Sequence, residues 1–88
     1  MSDGPEVDVR VDLHSVDDTG YVWAFSDRIQ QPTAVVPGAV VIAGNRTLRS
    51  LAQVVDFADE PAGRVVHLRV LDGDVVAFAH QRKLARAS

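Results

Sequence analysis

The sequence predicts a mostly β fold: a small, antiparallel, five-stranded barrel that ends in a C-terminal α-helix. Sixteen of the 88 residues are valine, and β-branched side chains favour strands. The apolar residues come in short runs separated by glycine, proline and acidic residues, which is typical of a domain built from short strands. Closing the sheet would also remove the exposed edges that a thin open sheet must protect.

The composition is that of one globular domain over residues 1–88, with disorder expected only in residues 1–5. Apolar residues make up 47% of the chain, too many for a disordered protein. A chain of this length has a thin core, which favours a function at the surface over a deep active site. Cysteine is absent, which excludes disulfides and thiolate metal sites. With no secretory signal and no apolar run of membrane-spanning length, the expected location is the cytoplasm.

The first predicted strand covers residues 6–13, where apolar and charged side chains alternate as in a half-buried strand. Its buried face would carry the apolar residues Val7, Val9, Val11 and Leu13. Its exposed face would carry the charged residues Asp8, Arg10 and Asp12.

A turn at residues 17–20 is expected to lead into the second strand, residues 21–25, because Gly20 tolerates a positive φ. Asp18-Thr19-Gly20 resembles the catalytic triplet of retroviral-type aspartic proteases, which implies two aspartates sharing a proton across a dimer. Tyr21 stands where those enzymes have a small residue. A turn accounts for the three residues, and the sequence predicts no enzyme.

Three further strands are predicted after a possible short helical turn at residues 27–31. Residues 39–43 are apolar throughout, as in a strand covered on both faces. Residues 51–57 and 64–71 are predicted to form an antiparallel hairpin. Between them, Glu60-Pro61-Ala62-Gly63 has the residue preferences of a type I turn.

Asp74 is a predicted N-cap for a helix over residues 75–86, which is rich in good helix formers. The inward face of this helix would carry Val75, Phe78, Ala79 and the stem of Arg82. A sixth strand over residues 75–79 is the alternative.

The stretch Val36-Pro37-Gly38-Ala39-Val40-Val41-Ile42-Ala43-Gly44, followed by Ala52-Gln53-Val54-Val55-Asp56, resembles SH3-like barrels of the KOW kind. The resemblance covers residues 36–56 and implies an SH3-like barrel and, as in many KOW domains, association with RNA or ribosomes. Residues 47–51 depart from the pattern because they contain no glycine. The chain is also similar to small bacterial proteins, and the arginine-rich bias of its basic residues is typical of a genome rich in G and C. Neither observation implies a function.

The candidate interaction surface begins with an aromatic row, Tyr21, Trp23 and Phe25, on one face of the second strand. If Val22 and Ala24 point into the barrel, the row lies outside and could stack bases or hold a proline-rich peptide. The alternative is that the three rings belong to the core or are covered by the loop 26–37 and the C-terminal helix. We favour the core, because the chain has only five aromatic rings and large rings carry much of a small core's burial.

Arg46 and Arg49 complete the candidate surface and lie in one polar loop. If they converge with Arg64 and Arg69, the four would form a basic patch able to bind phosphate or carboxylate. The alternative, which we favour, is a solvated loop that balances the acidic residues of the hairpin.

The sequence predicts no cofactor and no metal site. The three histidines, His14, His67 and His80, have no zinc-binding spacing. No glycine-rich phosphate loop and no activated nucleophile can be identified.

Two functional hypotheses remain. The first is a non-enzymatic interaction module that binds a protein partner or itself through the aromatic strand or the apolar segment 33–43. The second is a nucleic-acid-binding SH3-like or OB-like barrel, with Arg46 and Arg49 on phosphates and Tyr21 or Trp23 stacking on bases. The net charge of −3 favours the first hypothesis.

Overall fold

The computed structural model describes residues 6–15 and 18–87. The strands are β1 (Val9–Arg10), β2 (Tyr21–Phe25), β3 (Val40–Gly44), β4 (Arg49–Glu60) and β5 (Gly63–Leu71), followed by the helix α1 (Val75–Ala87). Two 3₁₀ turns, Leu13–Ser15 and Ser26–Arg28, lie on either side of β2. The second of these replaces the helical turn predicted at residues 27–31. The disorder predicted for residues 1–5 falls outside the described residues, as does Asp17.

The five strands form one mixed sheet in the order β1-β3-β4-β5-β2, which curls into a half-barrel. The mostly β class, the five strands and the C-terminal helix are therefore confirmed. The prediction of a fully antiparallel sheet is wrong, because β1 runs parallel to β3. β1 and β2 are the two ends of the sheet, and among the described residues no ladder joins them.

The first predicted strand is reduced to two residues. Val9 is buried as expected, but Asp8 is only 1% exposed although the alternation placed it on the solvent face. Its burial is possible because the carboxylate accepts a hydrogen bond from the Ile42 N–H at 2.8 Å and pairs with Arg82. The strand ends early because the chain enters a 3₁₀ turn at Leu13.

The predicted hairpin is confirmed, and it is longer than residues 51–57 and 64–71. β4 and β5 pair antiparallel up to Glu60 and Gly63, with the turn at residues 61 and 62. A β-bulge between Val54 and Asp56 shifts the register by one residue. Such a bulge increases the local twist of the strand, and it leaves Val55 40% exposed.

The core lies on the inner face of the curled sheet and consists largely of valine and alanine. On β3, Val41 and Ala43 belong to this cluster. On β5, Val66 and Leu68 belong to it and are fully buried. Ile42 points to the opposite face of the sheet and is buried there as well, so the expectation of a strand covered on both faces is met for β3.

The C-terminal helix begins as the sequence predicts. The Asp74 side chain accepts a hydrogen bond from the Ala77 N–H at 3.1 Å, which is the N-cap interaction, and the alternative of a sixth strand is wrong. The four residues predicted to face inward are half-buried, namely Val75, Phe78, Ala79 and Arg82. The helix contacts β4.

Candidate interaction surface

The aromatic row lies on the outer face of β2. Trp23 is 55% and Tyr21 40% exposed, whereas Val22 and Ala24 between them are buried. The interpretation of these rings as core is therefore wrong for Tyr21 and Trp23. The inner face of the curl is filled by small side chains, so the large rings point to the other side. Phe25 is half-buried.

Trp23 and Phe25 form what we call the aromatic ridge. Their ring centroids are 5.2 Å apart and their planes meet at 90°, the edge-to-face geometry that aromatic pairs prefer. Across the ladder, Trp23 lies opposite His67 and Phe25 opposite Val65. The ridge is thus fixed on a paired strand rather than carried by a loop.

A first groove, the turn groove, lies between the aromatic ridge and the β4–β5 turn. It has a volume of about 310 Å³. Besides the ridge, its lining consists of Glu60, Pro61, Ala62, Val65 and His67. His67 is held in place by Asp56, whose carboxylate lies 2.6 Å from the imidazole Nδ1. Glu60 and Asp56 make this side of the ridge acidic.

A second groove, the edge groove, lies on the other side of the ridge, between β2 and the chain that follows β1. It has a volume of about 320 Å³. Besides the ridge, its lining consists of Arg10, Val11, Asp12, Ala24, Arg28 and Asn45. The sequence alone did not bring Arg10 and Arg28 together at this groove, although Arg10 was expected on an exposed face.

The two residues that precede Arg46, Gly44 and Asn45, determine the conformation of its loop. Gly44 has φ +137°, and a Cβ there would lie 2.1 Å from the Leu48 carbonyl oxygen. The Asn45 side-chain oxygen accepts hydrogen bonds from the backbone N–H groups of Thr47 and Leu48 at 2.9 and 3.0 Å. Arg46 lines a third groove together with Arg10, Asn45 and Thr47, which adjoins the edge groove because Arg10 and Asn45 line both.

Arg64 and Arg69 lie apart from this cluster, whereas Arg49 contacts the backbone of Arg46. Arg49 is half-buried and donates a hydrogen bond to the Arg46 carbonyl oxygen at 3.1 Å. Arg64 is opposite Asp59 near the far end of β4 and lies over the Phe57 ring at 5.0 Å. Arg69 is opposite Tyr21. The four-arginine patch is therefore not formed; the arginines that line adjoining grooves are Arg10, Arg28 and Arg46.

The apolar segment 33–43, the other predicted contact region, is only partly accessible. Val35 is buried in the core, whereas Val36 is 48% and Val40 38% exposed. In register, Val40 lies opposite Gln53, Gln53 opposite Arg69, and Arg69 opposite Tyr21. Val40 therefore extends the outer face that carries the aromatic row instead of forming a patch of its own.

Within residues 6–15 and 18–87, no group of three or more histidine, aspartate or glutamate side chains is placed to hold a metal ion. No helix of this part of the chain has the length and apolar character needed to cross a membrane. Comparisons with protein families, with curated proteins and with solved structures found no match to this chain.

Proposed function

We propose that this protein is a non-enzymatic interaction module that binds a protein partner through the aromatic ridge. The supporting observation is that the single tryptophan, Trp23, is 55% exposed in the middle of a paired strand. Tryptophan is enriched among the residues that dominate protein–protein binding energy. Because β2 is already ordered, little backbone entropy would be lost when a partner docks.

The shape around Trp23 supports the same proposal. The ridge stands between two open grooves, one lined by Glu60 and His67 and the other by Arg10, Arg28 and Asp12. A partner that buries the ridge would insert side chains on both sides of it, and the unlike charges of the grooves would fix its orientation. Two other expectations stay proposals: closure of the five strands into an SH3-like barrel, and a cytoplasmic location.

The test is a selection of displayed random peptides on the immobilised protein, with counter-selection on the Trp23→Ala variant. We expect enriched sequences that bind the original protein and lose at least about tenfold in affinity for Trp23→Ala, as for a central interface residue. The matched control is Val76→Ala, which removes an exposed apolar side chain on α1. No enrichment, together with a strict monomer in light scattering, would overturn the proposal.

The second candidate function is binding of single-stranded nucleic acid, and it is favoured by Arg10, Arg28 and Arg46 near an exposed tryptophan. Stacking on aromatic rings and arginine contacts to phosphates are the usual elements of such sites. Titration with single-stranded DNA and RNA at low salt distinguishes the two functions. Unchanged Trp23 fluorescence supports the protein-binding proposal, whereas quenching that weakens steeply with added salt supports nucleic-acid binding.

A further inference from the structure

β2 has one side on which its backbone groups lie outside any ladder. The Val70 N–H donates to the Gly20 carbonyl oxygen at 2.8 Å, and the register continues as Val22 opposite Leu68 and Ala24 opposite Val66. Hydrogen-bonded and non-hydrogen-bonded pairs alternate along antiparallel strands. The N–H and C=O of Trp23 therefore point away from β5, toward the edge groove. Within the described residues, β2 forms a ladder with β5 alone.

β2 itself carries none of the sequence and geometric protections that natural sheets place on exposed strands. Charged residues, proline, bulges and very short strands are the usual means of preventing unwanted pairing. β2 has none of them: its sequence is Tyr-Val-Trp-Ala-Phe, and its register with β5 is regular. β1, at the other end of the sheet, is only two residues long, and Val9 bridges to Ile29. One end of the sheet is thus blunted and the other is open.

The charge around this open edge is opposite in sign to that of the whole protein. Among the described residues, the edge groove and the groove that adjoins it are lined by three arginines, Arg10, Arg28 and Arg46, and one acid, Asp12, in a chain of net charge −3. Arg28 is exposed, and its contact with Asp27 is long, at 3.8 Å. Guanidinium groups bind carboxylates through paired hydrogen bonds. The groove therefore suits an occupant with acidic side chains.

We propose that the edge of β2 binds an extended, acidic segment of a partner protein, which pairs with the backbone of Trp23 as an added strand. This inference rests on the proposed function and names the partner's chemistry. Backbone hydrogen bonds to the sheet edge supply affinity in this mode, and side-chain contacts supply specificity. Carboxylates of the segment meet Arg10 and Arg28, and the added strand extends the half-barrel into the gap between β2 and β1.

The experiment uses short synthetic peptides in which valine alternates with glutamate, with a matched series in which lysine replaces glutamate. Two further versions of the acidic peptide carry N-methyl groups either on every valine or on every glutamate. Binding is followed by Trp23 fluorescence and by the amide resonance and hydrogen exchange of Trp23. We expect the acidic peptide to bind at least about tenfold more tightly than the lysine peptide, and to protect the Trp23 amide.

The N-methyl peptides test the backbone pairing itself. Only alternate residues of an added strand direct their N–H groups to the sheet edge, so one methylation pattern should abolish binding and the other should leave binding unchanged.

The arginine variants test the charge preference. The double variant Arg10→Glu with Arg28→Glu should reverse the preference toward the lysine peptide. Arg69→Glu, an exposed arginine on β5 outside the lining of the edge groove, should not.

Three outcomes would overturn the inference that a peptide pairs with the edge of β2. Equal binding of both N-methyl peptides, or no shift of the Trp23 amide at millimolar peptide, overturns the edge-pairing inference. If the displayed peptides still need Trp23 in that case, the proposed function stands without this binding mode. Binding of an oligothymidine, and not of the acidic peptide, would assign the arginines to nucleic acid and overturn the inference.

Discussion

The outer face of the sheet has two halves that differ in how they are covered. In the covered half, Ile42, Leu51 and Leu71 form one row across β3, β4 and β5, α1 contacts β4, and Ile42 is completely buried. In the open half, Tyr21 and Trp23 on β2 carry larger apolar side chains, yet both are exposed. The larger side chains are thus the ones left in contact with solvent.

The covered half is fastened by a buried ion pair. Arg82 of α1 reaches Asp8 with Nη1–Oδ2 and Nη2–Oδ1 distances of 2.8 and 3.3 Å. The Asp8 backbone is fixed as well, since its carbonyl oxygen accepts a hydrogen bond from the Gln30 N–H at 2.7 Å and its N–H donates to the Ile42 carbonyl oxygen at 2.8 Å. One aspartate therefore connects the N-terminal segment, β3 and the C-terminal helix.

The two halves differ in how much apolar burial they contribute to the fold. Full burial of a large apolar side chain stabilises a fold by about 1.5–3 kcal/mol, which is a considerable share of the stability of a small domain. Trp23 gains only part of this stabilisation because it is 55% exposed. Ile42 is completely buried next to the Asp8–Arg82 ion pair. Trp23, exposed on a paired strand, is the side chain on which the proposed binding surface depends.

Removing the Asp8–Arg82 ion pair should produce the largest loss of stability. We expect Asp8→Ala to lower the free energy of unfolding by about 3–5 kcal/mol, because Arg82 and the Ile42 N–H both lose a buried partner. Urea denaturation measures the loss, and hydrogen exchange of the α1 amides should show that the helix opens first. The control is Asp56→Ala, since Asp56 pairs with His67 at the surface and such pairs contribute about 0–1 kcal/mol. Equal losses in the two variants would contradict the role assigned to Asp8.

A smaller effect is expected at the entrance to the helix. Gly73 has φ +152°, and a Cβ there would lie 2.5 Å from Leu51 Cδ1. We expect Gly73→Ala to cost about 1–3 kcal/mol through backbone strain and displacement of Leu51, measured as a lower urea midpoint. Gly38→Ala is the control, because Gly38 also has a positive φ but no atom within 4 Å of the added Cβ. If both variants lose the same stability, displacement of Leu51 does not contribute to the loss at Gly73.

The elements with local signals could be predicted from the sequence. The hairpin follows from the turn residues Glu60 to Gly63, and the helix follows from the cap at Asp74, because both depend on neighbours in the chain. The alternation along β2 likewise separates Val22 and Ala24 from the aromatic row. It does not say which set faces the core, since that depends on how the sheet curls.

Long-range features could not be predicted for a physical reason. Asp8 looks like a solvent-facing residue because its partners, Ile42 and Arg82, are distant in the sequence. The parallel pairing of β1 with β3 has no local signature either. The edge groove joins Arg10 of β1, Arg28 of a 3₁₀ turn and Asn45 of the loop after β3, so only the assembled sheet places them around Trp23. Arg10, expected on an exposed face, was the one member with a usable signal.

The smallest change in stability is expected at Trp23, where the change in binding should be largest. Trp23→Ala removes a side chain that is more than half exposed and touches the Phe25 ring at its edge, so we expect a loss of about 1 kcal/mol. Ile42→Ala on the covered half should cost about 2–5 kcal/mol in the same urea titration. A loss at Trp23 as large as that at Ile42 would mean that the open half also holds the fold together. If the loss at Trp23 is small and peptide binding disappears, the open half contributes recognition and the covered half stability.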